Sequence, residues 1–123
     1  MTQTTPATRG KIYVLDATAV EALEWRPLRG QPDVKHKALW QSGELVVGLL
    51  WLEPGASEPG HAHPDADHHV WVVEGTARIG GRLLTPGSYA YVPAGTDHEI
   101  TDVGAGGCTL FYTFRPHGEP ARH

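Results

Sequence analysis

Residues 55–75 read GASEPGHAHPDADHHVWVVEG, and the histidines and turn residues of this stretch decide the fold. Four of the chain's eight histidines, His61, His63, His68 and His69, fall within nine residues. Side chains alternate between the two faces of a strand, so His61 and His63 share a face. A turn over residues 64–67 followed by extended chain brings His68 back to meet them and leaves His69 facing away. His68, Val70 and Val72 then share the inward face, and Trp71 points outward beside His69, where it marks a second surface. Imidazole suits zinc, copper, iron and nickel, so three convergent rings point to a metal site. The plainer alternative is a solvated, histidine-rich loop.

Downstream, residues 87–102 read GSYAYVPAGTDHEITD. Alternation over residues 88–92 predicts a strand, Pro93, Ala94 and Gly95 a tight turn, and His98 the opening of the next strand. A histidine just after such a turn is either a fixed inward ligand or a surface residue. From Val34 onward the chain is a series of short alternating runs, expected near 35–42, 44–52, 61–63, 68–74, 76–80, 82–84, 88–92, 97–102 and 108–115. Turn signals recur about every ten residues, at Ser42/Gly43, Pro54/Gly55, Glu74/Gly75, Gly80/Gly81, Pro86/Gly87, Ala94/Gly95 and Gly104 to Gly107. That rhythm is all-β, an antiparallel sandwich or barrel.

With both stretches in view, the chain resembles the cupin superfamily, small β-barrels that hold a metal between their sheets. The first family motif is Gly, five residues, His-any-His, three or four residues, Glu, six residues, Gly. Gly55, His61, His63 and Gly75 fit it with the longer spacing, and His68 stands in the Glu position. The second is Gly, five residues, Pro-any-Gly, two residues, His, three residues, Asn. Gly87, Pro93, Gly95 and His98 fit it, with Asp102 in place of Asn. The resemblance covers roughly residues 45–115, and the short gap between motifs is similar to that of compact single-domain members. It implies a cupin-like β-barrel, a jelly roll of two antiparallel sheets, preceded by an N-terminal arm.

The resemblance also implies a ligand set of His61, His63 and His98, with His68 as a fourth in the Glu slot. It implies one divalent transition metal, with Fe(II) favoured and Mn, Ni, Cu or Zn as alternatives. Losing the family's carboxylate leaves the metal's charge uncompensated by protein, which favours anionic or enolate ligands. It also removes a general base from the site. Glu58, Asp65 and Asp67 are expected on a solvated acidic loop outside the barrel mouth. The activity implied is that of a metal-dependent dioxygenase on a small enolisable or phenolic molecule. A metal-assisted isomerase, lyase or hydrolase and a non-catalytic binding module stand as alternatives, because fold does not decide among them. No catalytic residue beyond the ligands is assigned.

Outside the motifs, residues 1–10 read as a polar tail, 11–15 as a short strand, and Asp16 as the cap of a helix over ATAVEALEW. Pro27, Gly30 and Pro32 predict a loop. The expected organisation is a tail and arm over 1–33, the barrel over 34–116 and a polar tail over 117–123. Trp25, Trp40 and the outward Trp71 are more apolar than free surface needs, so edge cover by the arm and a homodimer are expected. Trp51, Tyr89, Tyr91, Phe111, Tyr112 and Phe114 fall on strands as packing residues. Arg78 and Arg82 sit on short hairpins as solvated side chains.

A net charge of −4 with ten scattered basic residues argues against a nucleic-acid surface. The single cysteine, Cys108, excludes an internal disulfide, fits a reducing compartment and reads as a small buried hydrophobe. The longest apolar run, residues 45–52, is too short to span a bilayer, and residues 1–11 lack the apolar core of a secretory signal. A cytoplasmic protein acting on a small molecule, without membrane or nucleic acid, is the expectation.

Overall fold

Alternating apolar runs cut by glycines leave the backbone one economical solution, short antiparallel strands that bury one face each. The computed structural model describes residues 11–28, 31–56, 58–61, 66–96 and 98–116, and at 58–61 and 98 it describes the path of the backbone only. Among the described residues, ten strands follow one short helix: α1 (Ala17–Ala22), β1 (Arg26–Leu28), β2 (Gln31–Ser42), β3 (Leu45–Leu52), β4 (Glu58–His61), β5 (Ala66–Gly75), β6 (Ala77–Ile79), β7 (Arg82–Leu84), β8 (Tyr89–Val92), β9 (His98–Thr101) and β10 (Cys108–Pro116). They form a six-stranded sheet in the order β1-β2-β3-β10-β5-β8 and a four-stranded sheet in the order β4-β9-β6-β7. Every recorded pairing is antiparallel.

The inward side chains of the two sheets make the core. Val34, Leu52, Val70, Val72, Cys108 and Leu110 come from the larger sheet, and Ala77, Ile79 and Ile100 from the smaller. Leu52 and Leu110 are fully buried. Each such side chain contributes roughly 1.5–3 kcal/mol by leaving water. Gly75 closes β5 with a positive φ of 80°, and a Cβ there would collide with the carbonyl of Gly107. Only glycine lets the end of β5 approach the start of β10 so closely. The glycine that ends the first histidine motif thus serves packing.

Several expectations need correction. Residues 11–15 form no strand, and Ile12 and Val14 are among the most exposed apolar residues described. Among the described residues, no strand pairs with them. The loop expected over 27–32 holds β1 at Arg26–Leu28, while β2 already begins at Gln31. Pro27 is tolerated there because β1 lies at the sheet edge, where one missing N–H breaks no central ladder. Of the strand expected at 61–63, His61 belongs to β4 (Glu58–His61), and residues 62 and 63 lie outside the described residues.

The helix expected after Asp16 forms, although it lasts only six residues. The Asp16 side chain accepts a hydrogen bond from the Ala19 N–H at 2.8 Å, satisfying one of the free donors of the first turn. Its other end is held by Lys37 of β2. That ammonium donates to the Val20 carbonyl at 3.0 Å and lies 4.7 Å from the centre of the Trp25 ring. A lysine only 6% exposed is tolerated because helix-end carbonyls and an aromatic face replace its water. Lys37 thereby fastens the arm to the larger sheet.

His36, opposite Leu50 across the β2–β3 ladder, is half-buried. Its Nδ1 is sealed from solvent with no hydrogen-bond partner among the described residues. Burial, and then the Arg26 charge, hold its pKa below the usual 6.5. The unfolded chain therefore takes up a proton that the fold resists as pH falls through 6.5. The resulting stability is full above that pH and is lost below it. His36→Leu is expected to reduce the fall in Tm between about pH 7 and about pH 5. Identical pH profiles for the two proteins would rule this out. Cys108 is wholly buried, and burial pushes its thiol up to about 11. A thiol reagent at neutral pH is expected to leave the native protein unlabelled and to modify it once on unfolding. Rapid labelling of the native protein would contradict that burial.

Candidate metal centre

Strands of both sheets carry candidate histidines, His61 and His98 on the smaller and His68 on the larger. In the smaller sheet, the β4–β9 ladder sets His61 directly opposite His98. Residues so paired on antiparallel strands share a face of the sheet and stand about 4.5–5.5 Å apart at Cα. One histidine of each motif is thus placed beside one of the other by main-chain pairing. His63 lies outside the described residues, as do the side chains of His61 and His98.

In the larger sheet, His68 follows the inward alternation of β5 that Val70 and Val72 continue into the core. It sits between Phe114 of β10 and Val92 of β8 in the ladder. Its ring meets the Phe114 ring at 5.2 Å between centroids with planes inclined by 60°, and its Nε2 is buried. A nitrogen donor sealed from water on an apolar wall has the character of a transition-metal ligand. Among the described residues, no three His, Cys, Asp or Glu side chains stand together as a metal-binding group. Those residues include His68 but not the side chains of the other three candidates.

The outward face of β5 departs from the expectation of an acidic, solvated loop. Asp67 is fully buried. Its Oδ2 accepts from Arg115 Nη2 at 2.8 Å and from the Tyr91 hydroxyl at 3.1 Å, and its Oδ1 accepts from Arg115 Nε at 3.2 Å. Sequence could not show this, because Arg115 is 48 residues away and meets Asp67 only through the β5–β10 register. Glu58 belongs to β4, and Asp65 lies outside the described residues. His69 and Trp71 point outward as expected. Trp71 is 41% exposed, and the His69 Nδ1 lies 2.6 Å from the Tyr89 hydroxyl.

Asp102, in place of the second motif's Asn, has a positive φ of 52°. Asn and Asp tolerate that left-handed conformation better than other residues with a side chain, which gives the motif position a backbone reason. Its carboxylate accepts from Arg78 Nε at 3.0 Å, so Arg78 is paired rather than merely solvated. Both groups face out and serve the β6–β9 junction rather than the candidate site.

Residues 14–117 match the ChrR cupin-like domain. An RmlC-like cupin from Shewanella frigidimarina is 31% identical over 80% of this chain and 88% of its own, with a TM-score of 0.67. The polyketide cyclase RemF from Streptomyces resistomycificus is 23% identical over 83% of this chain and 79% of its own, also at 0.67. A chain in the complex of Rhodobacter sphaeroides SigE with the anti-sigma ChrR is 24% identical over 76% of this chain and 50% of its own, at 0.63. No functionally curated protein matches the chain. The complex corrects the expectation about partners. A small molecule and a second copy of the chain were expected, whereas the similar ChrR assembly joins two different proteins, and nothing in the comparisons supports a homodimer. Among the described residues, no helix is long and apolar enough to cross a membrane.

Proposed function

The chain belongs to the ChrR cupin-like domain family, and from that premise we propose that it is a metal-dependent dioxygenase holding one divalent transition metal, with Fe(II) favoured, through His61, His63, His68 and His98. The observation that carries this reading is the β4–β9 register, which pairs His61 with His98 while His68 faces inward from the other sheet. His63 completes the set two residues beyond His61. The organic substrate is an enolisable or phenolic compound.

A divalent transition metal in this set supplies Lewis acidity and redox capacity. The chain's own residues account for selectivity. Imidazoles carry no charge to offset the ion's, so an enolate or phenolate is attracted more strongly than it would be beside a carboxylate ligand. Val70, Val72 and Phe114 form an apolar wall around His68 that holds a carbon skeleton and keeps water out. Tyr112 packs against the same core, and burial raises its hydroxyl pKa above the usual 10. It stays protonated at neutral pH and is available as a hydrogen-bond donor.

Gently purified protein is expected to carry one equivalent of iron or a related metal per chain and to consume O2 with a diketone or phenol. Replacing His61 and His63 together by Ala is expected to abolish both metal retention and O2 uptake. Stoichiometric metal in that double variant would overturn the ligand assignment. Turnover without O2 in the presence of zinc or manganese would point to a metal-assisted isomerase or lyase instead.

A further inference from the structure

A fully buried carboxylate on the outward face of a strand needs a reason. Asp67 is held in two-pronged fashion by Arg115 and by the Tyr91 hydroxyl, although the Arg115 side chain is itself 57% exposed. Desolvating an ion pair offsets most of its attraction, and a well-packed apolar pair of similar size is often as stable or more so. Stability alone therefore does not explain this choice. The bidentate contact does fix geometry, since the guanidinium fork matches the carboxylate in one orientation.

The position of the contact shows what geometry it fixes. The β5–β8 ladder begins at His68 opposite Val92, so the residues of β5 before His68 have recorded strand pairing with β10 alone. The β5–β10 ladder itself ends at Ala66 opposite Pro116, which has no N–H to donate. Among the described residues, Ala66 and Asp67 at the entry to β5 thus pair with β10 alone, and β8 joins only at His68. Asp67 adds side-chain bonds to Arg115 of β10 on one side and, on the side where strand pairing is missing, to Tyr91 of β8. One residue after His68, the His69 N–H donates to Thr113 Oγ1 at 3.1 Å. His68 is bracketed by restraints on the opposite face of its own strand.

We infer that the Asp67–Arg115–Tyr91 network is a positioning element for His68, fixing the entry of β5 so that the imidazole is presented to the interior in one orientation. The inference rests on the ligand role proposed for His68. Asp67 lies on the face of β5 opposite His68, so the network acts only through the strand.

The test replaces the charged pair as a unit, Asp67→Leu with Arg115→Met, so that no lone charge stays buried; Tyr91→Phe is the milder variant. The first readout is the His68 ring in metal-free protein, followed by imidazole ¹⁵N NMR. Broadened or doubled His68 signals are expected in the pair variant and smaller changes in Tyr91→Phe. The second readout is Co(II) affinity and the visible Co(II) spectrum. Affinity is expected to fall about tenfold with a changed spectrum, the scale seen when supports of a metal ligand are removed. In a His68→Ala background the pair replacement is expected to cause no further loss. Sharp, wild-type-like His68 signals in the metal-free pair variant would overturn the inference, as would an equal loss of affinity without His68. Should the pair variant fail to fold, the same readouts on Tyr91→Phe decide the question, and an unchanged His68 signal overturns it. Wild-type protein that binds no Co(II) would overturn the metal reading instead, and the NMR measurement would still judge the positioning role.

Discussion

Antiparallel pairing of β5 with β10 is the constraint on which the rest of the molecule depends. Once Phe114 stands opposite His68 and Tyr112 opposite Val70, the period of two assigns every side chain of Ala66–Gly75 to a face. A slip of one residue would put Asp67, His69 and Trp71 into the core and expel His68, Val70 and Val72. The penalty for such a slip is large, because it would bury an unmatched charge and expose the apolar wall together. The irregularity at Thr109/Leu110 absorbs one extra residue on β5 near the far end of the ladder. The pairing next to His68 is left regular.

Buried or strained polar groups in this chain gather where main-chain partners run out. Lys37 sits at the free carbonyls that end α1. Asp67 sits where β5 passes beyond its recorded pairing with β8, and Asp102 occupies a left-handed position just past the end of β9. In each case a side chain supplies the interaction that the backbone lacks, which repays part of its desolvation. Among the described residues, the buried core cluster is apolar apart from the Cys108 thiol, and Tyr112 brings a hydroxyl against it.

Much of the fold was legible in the sequence because glycine and proline spacing is a local signal. The turns at Ser42/Gly43, Gly80/Gly81 and Ala94/Gly95 could be placed without knowing what the strands pair with, and the family motifs supplied the architecture. Errors arose where the answer was non-local. Residues 12–14 alternate like a strand but form none in the described structure, whereas Arg26–Leu28 holds a proline and is a strand because β2 passes beside it. Asp67 read as solvent-facing because neither Arg115 nor Tyr91 is near it in sequence. At the candidate site, spacing pointed to His61, His63 and His68 and the family resemblance added His98, and the β4–β9 register now sets His61 opposite His98. His63 was equally legible but lies outside the described residues.

Histidine in place of the family's Glu at position 68 alters more than the count of donors. A carboxylate against Phe114 and Val92 would lose its hydration in an apolar setting and depend on the metal for compensation. A neutral imidazole enters that setting at lower cost, and its ring packs on Phe114. The exchange therefore shifts charge balance from protein to ligand: the proposed site, +2 with a divalent ion and neutral imidazoles, moves toward neutrality only as anions join the metal. It also shifts the mechanical demand. A carboxylate can bind through either of two oxygens and tolerates some rotation, whereas an imidazole must aim one nitrogen along its ring plane. A strand that presents histidine at this position needs a stiffer mount than one that presents glutamate. The bonds of Asp67 and His69 on the reverse of β5 have the placement that such a mount requires.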